Sequence, residues 1–93
     1  MKIKYLIALV FSAALLNGCG VADNPTVCTS DPQSEWLDQD KFQASLLASG
    51  YKINEFKVTK GNCYEIYGTD KNNSKVEIYF NPVDGSIVKQ ESH

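Results

Sequence analysis

The chain predicts an α+β domain in which one N-terminal helix packs on a three- to four-stranded antiparallel sheet. Three observations lead there. Apolar residues follow helical spacing only around Phe42 and Leu46. After Gly50 the apolar period drops from about 3.6 to 2. Short polar clusters then divide the remainder at hairpin intervals. Ninety-three residues leave room for one such domain, and no internal repeat is present.

The first residues are set aside before the fold is read. Met1 to Lys4 is short and basic, Tyr5 to Leu16 is apolar apart from Ser12, and Asn17 to Ala22 is small and polar. That is the three-part layout of a bacterial export signal. Its apolar run, about a dozen residues, falls short of the roughly 20 that a spanning helix needs. Leu16-Asn17-Gly18-Cys19 resembles the lipobox of bacterial lipoproteins, so residues 1–18 are read as the signal and Cys19 as the lipidated first residue. Cleavage after Ala22, giving a soluble periplasmic protein, is the alternative. Gly20 stands where inner-membrane retention signals place Asp, which implies the outer membrane. Residues 19–33, rich in Pro, Asp and small residues, form a linker or tether, and residues 34–93 form the domain.

The helix is expected within Ser34–Ser49. Asp38 is the natural N-cap, because its carboxylate can accept from free N–H groups of the first turn. Asp40 lies near the positive end of the helix dipole. Leu37 and Phe42 match a hydrophobic staple. Phe42 and Leu46 share one face, joined by Ser45 and Ser49, and Leu47 widens it. Gly50 ends the helix.

The strands follow in order. Tyr51 and Ile53 alternate, then Phe56 and Val58, with a slip that a bulge near Asn54-Glu55 repairs. Lys60-Gly61-Asn62 is a turn. Cys63 to Tyr67 is the second strand, with Tyr64 and Ile66 on one face. Asp70 to Asn73 is a hairpin loop. Val76, Ile78 and Phe80 alternate with Lys75, Glu77 and Tyr79, the pattern of a half-buried strand. Asn81-Pro82-Val83-Asp84-Gly85 is a reverse turn. Ile87 and Val88 make a short last strand, and Glu91-Ser92-His93 is expected to fray. Phe42, Phe56, Tyr64 and Phe80 are the candidate core aromatics.

Cysteine count bears on the compartment. Cys19 is either lipidated or removed, which leaves Cys28 and Cys63. In an oxidising compartment these two are expected to pair. The bridge would close about 35 residues and contribute about 3–4 kcal/mol in the chain-entropy model, much for so small a core. Neither their spacing nor the single His suggests a zinc site, and no cofactor motif is present, so no metal and no cofactor are expected. Charge excludes other partners. Beyond the signal, seven Lys face eleven Asp and Glu, and the chain has no Arg. Nucleic acid is therefore not an expected partner, and membrane contact is expected only through the lipid on Cys19.

The ordered set Trp36-Leu37, Gly50-Tyr51-Lys52-Ile53, Cys63-Tyr64-Glu65-Ile66-Tyr67 and Val76 to Gly85 resembles the PepSY domain family from about Trp36 to Lys89. Asn81 stands where the family more often has Asp, and it can still cap the turn. Small exported members also often carry a Cys before the helix and another ahead of Tyr-Glu, as Cys28 and Cys63 do. PepSY domains occur in propeptides of secreted metallopeptidases. The resemblance implies a non-catalytic periplasmic binding module that regulates or inhibits an envelope protein such as a peptidase. A structural or accessory envelope lipoprotein, dependent on its anchor, is the alternative.

No catalytic residue is assigned. His93 is the only His and ends the chain, and no Ser sits in a nucleophile elbow. Tyr67 and Tyr79 fall on the sheet face opposite Ile66 and Ile78. They serve either as cross-strand stabilisers or, with Lys75 and Glu77, as a candidate partner-binding face. Glu65 shares that face, which makes it mixed in character.

Overall fold

A computed structural model describes residues 25–93. Its elements are a single 3-10 turn, Gln33–Glu35, then helix α1, Gln39–Ala48, and strands β1, Lys52–Val58, β2, Tyr64–Thr69, β3, Lys75–Phe80, and β4, Ile87–Ser92. The four strands form one antiparallel meander in the order β1-β2-β3-β4. The α+β class holds. Among the described residues the helix precedes all four strands; residues 1–24, with the expected signal and Cys19, lie outside the description.

Helix α1 begins where Asp38 Oδ2 accepts from the Lys41 N–H at 2.9 Å. It ends in a paired-bond cap. Gly50 N–H donates to Leu47 O and Tyr51 N–H to Leu46 O, each at 3.1 Å. That cap requires Gly50 at φ +100°, a left-handed value that a side chain would strain. The segment between the 3-10 turn and α1 is extended at Trp36 and forms the lead-in to the helix.

The expected bulge is present: pairing shifts between Ile53 and Glu55 against β2. Gly68 faces this irregularity, and a Cβ there would lie 1.8 Å from Lys52 O, so no larger residue fits the pairing as it stands. The Asn81–Gly85 turn closes with Gly85 N–H donating to Asn81 O at 2.7 Å, while Asn81 Oδ1 accepts from Val83 N–H at 2.8 Å.

The core lies between α1 and one face of the sheet. Phe42 and Leu46 cover Tyr64, Ile66, Val76, Ile78 and Phe80, with Trp36, Tyr51, Ile53 and Phe56 packed at the rim. Phe42 is the hub, its ring centroid 5.0 Å from Phe80 and 5.1 Å from Tyr64. Each fully buried Ile contributes about 1.5–3 kcal/mol through area removed from water. Leu47, expected to widen the apolar face, is 56% exposed instead. It lies off the arc through Phe42 and Leu46 that meets the sheet. Leu37 is also partly exposed and anchors through its backbone: its N–H donates to Pro82 O at 2.7 Å, and its carbonyl accepts from Tyr64 O–H at 2.6 Å.

Cys28 and Cys63 form a disulfide that spans 35 positions. Around it, Cys28 N–H donates to Gly61 O at 2.9 Å and the Asn62 amide to Thr29 O at 3.2 Å. The stretch ahead of the helix is thereby held against the Lys60–Asn62 turn. The chain's last residues correct the expectation of fraying. β4 runs through Ser92, and His93 N–H donates to Lys75 O at 3.0 Å. Backbone pairing with β3 along the whole strand is the reason.

Candidate functional site

The face of the sheet away from α1 carries the polar chemistry. Strand register arranges it in rows: Lys57, Glu65, Tyr79 and Lys89, then Glu55, Tyr67, Glu77 and Glu91. A third row holds Thr69 opposite Lys75, with His93 bonded to Lys75 through the backbone. Alternation alone produces this arrangement, because every residue next to a core position in β2 and β3 must point the other way. The four residues expected to form a partner-binding face, Tyr67, Tyr79, Lys75 and Glu77, do share it.

Glu77 stands at its centre. The Tyr79 hydroxyl donates to Glu77 Oε2 at 2.9 Å, and His93 Nε2 lies 3.3 Å from Glu77 Oε1. Register sets Glu65 on the diagonal of Glu77 and Tyr67 directly opposite it. Glu65 is 3% exposed and Glu77 7%, although no helix covers this side. Lys57 and Lys89 hold their ammonium groups 5.5 and 5.8 Å from the ring centroids of Tyr67 and Tyr79, within cation–π range.

Burial divides the two carboxyls electrostatically. Glu65 is raised above the ordinary carboxyl range, first by desolvation and then by its bond to Glu77. Glu77 is lowered to about 2, first by the hydrogen bond from Glu65. Two neighbouring carboxyls that are both nearly buried do not ionise independently, and their titrations are pushed apart, Glu65 upward and Glu77 downward. Tyr67 is raised well above the tyrosine range, mainly by donating to Glu77, and Tyr79 likewise, mainly by burial. Both hydroxyls therefore remain donors at any physiological pH.

Three members of this network were not expected from the sequence. Glu65 was placed on the face but not in a carboxyl pair. Its role follows from the β2–β3 register, which sets it diagonal to Glu77. His93, read as a solvated tail, is a side-chain partner of Glu77. Glu91, also read as tail, sits directly opposite Glu77. The alternation Glu77-Tyr79 against Lys89-Glu91 was the available signal, had β4 been extended past Val88.

One helix on a four-stranded meander, with a polar network on the uncovered face, defines a small disulfide-bonded α+β domain. A family model described as peptidase propeptide and YPEB domain matches residues 6–91, and the chain belongs to that family, the PepSY domains. No curated protein and no solved structure matches it.

Proposed function

We propose that this protein is an exported, non-catalytic binding module that engages an envelope protein, such as a peptidase, through the open face of its sheet. The observation that carries the reading is the placement of Tyr67 and Tyr79 beside the buried Glu65–Glu77 pair, with Tyr79 bonded to Glu77 and a lysine beside each ring. Tyrosines held in this way offer contact area at little entropic cost on binding. The family's description as a peptidase propeptide supports a peptidase as the partner class. The near-complete burial of Glu65 argues for support rather than chemistry: an acid or base must reach its substrate, and this carboxyl is only 3% exposed.

Export is supported by the signal-like residues 1–18 and by the disulfide, which suits an oxidising compartment. No helix among the described residues is long and apolar enough to cross a membrane. Attachment to the outer membrane through a lipid on Cys19 completes the reading.

The test is a pull-down from envelope extracts with Tyr67→Ala/Tyr79→Ala beside the wild type, with thermal unfolding of both to confirm an intact core. Loss of the captured partner with the fold retained is the expected result; undiminished capture counts against the open face. Cys19→Ser separates anchor from domain: partner binding is expected to survive it, whereas an anchor-dependent accessory protein would lose its activity.

A further inference from the structure

We propose that Glu77, Glu91 and His93 form a binding site for a divalent transition-metal ion of the zinc class, at the β3–β4 end of the open face. This inference does not depend on the partner-binding reading. One ligand atom from each residue lies within 4.8 Å of the other two. The Glu77 Oε1 to His93 Nε2 separation is 3.3 Å. Two ligands on a tetrahedral zinc with bonds of about 2.0–2.1 Å stand roughly 3.3–3.4 Å apart, so this edge of the site is preformed. Glu91 has to close in by a small movement of an exposed side chain. Its present partner is Lys89 Nζ at 3.6 Å, an exposed ion pair that is cheap to break.

The surroundings set these ligands as a metal site requires. Tyr79 O–H occupies Glu77 Oε2 and leaves Oε1 facing the imidazole. The backbone bond from His93 to Lys75 O fixes the residue that carries that imidazole. No lysine forms an ion pair with Glu77 among the described residues; Lys57 and Lys89 lie over the tyrosine rings instead.

The donor set selects the ion. One imidazole nitrogen with two carboxylates suits zinc and its neighbours; calcium and magnesium prefer all-oxygen shells and more ligands. Three protein ligands leave a fourth position for water or another donor.

Titration calorimetry with zinc chloride tests this on protein carrying no histidine tag, in the Cys19→Ser background so that no free thiol takes the ion. Glu91→Gln and His93→Ala are the variants, and both residues are exposed enough for the fold to survive, which metal-free thermal unfolding checks. One ion per chain is expected, with affinity reduced about tenfold or more in each variant, at least the loss that removal of an outer-shell partner brings. Zinc is also expected to raise the unfolding temperature of the parent and not of the variants. Absence of saturable zinc binding by the parent, or binding by either variant as tight as the parent's, overturns the proposal.

Discussion

Ile66 and Ile78 pair across β2 and β3 on the helix side and have no exposed surface. Their neighbours Glu65 and Glu77, on the other side of the same strands, are almost as buried without any covering element. The first pair is buried by α1. The second lies among the side chains of the sheet itself, next to Tyr67 and Tyr79. The difference teaches that the two faces fail differently. An apolar position loses volume when truncated, while a buried carboxyl loses specific partners and leaves others unpaired.

Several substitutions sharpen this contrast. Ile66→Ala is expected to be the most damaging, about 4 kcal/mol by urea unfolding, because a fully enclosed site between strands collapses poorly. Replacing both Cys28 and Cys63 by Ser should cost about 3–4 kcal/mol by the same measurement, from the freed 35-residue loop. Glu77→Gln should cost about 2 kcal/mol, since Tyr79 O–H then loses a charged acceptor. Asp38→Ala, at the helix N-cap, should cost about 1 kcal/mol and leave the open face untouched.

The carboxyl pair also gives the two faces different pH behaviour. Glu77 has a folded pKa below its ordinary 4.5, at about 2. Its contribution is present above pH 4.5 and is lost as pH falls toward 2. Glu65 is shifted the other way, so its contribution is present below pH 4.5 and is lost as pH rises through its raised folded value. Urea midpoints measured across pH should therefore fall on both sides of an acidic optimum. Glu65→Gln should remove the decline on the alkaline side, and Glu77→Gln the decline on the acidic side. A substitution such as Ile66→Ala should lower the whole curve without changing its shape.

What could be read from the sequence follows the same division. The helix cap at Asp38, its end at Gly50, the bulge after Ile53 and the Asn81–Gly85 turn are local signals, each carried by a few adjacent residues, and all are present. The core aromatics followed from period alone, with Phe56 at the rim rather than the centre. Leu47 was misplaced because helical spacing describes an arc of the helix and not the width of the surface beneath it. The Glu65–Glu77 pair was illegible for a related reason. Its existence depends on which β2 residue falls diagonal to which β3 residue. His93 and Glu91 depended on the length of β4, where polar Lys89, Gln90 and Glu91 hide a strand held by backbone bonds.

Site-specific photocrosslinking in intact cells tests most directly whether the uncovered face is the working surface. A photoreactive residue at Lys75 samples that face, and one at Ala44 samples the solvent side of α1. Capture of an envelope protein from position 75, little from position 44, and loss of the capture in the Tyr67→Ala/Tyr79→Ala background is the expected result. Equal or stronger capture from position 44, or capture from position 75 that survives loss of both tyrosines, would contradict it.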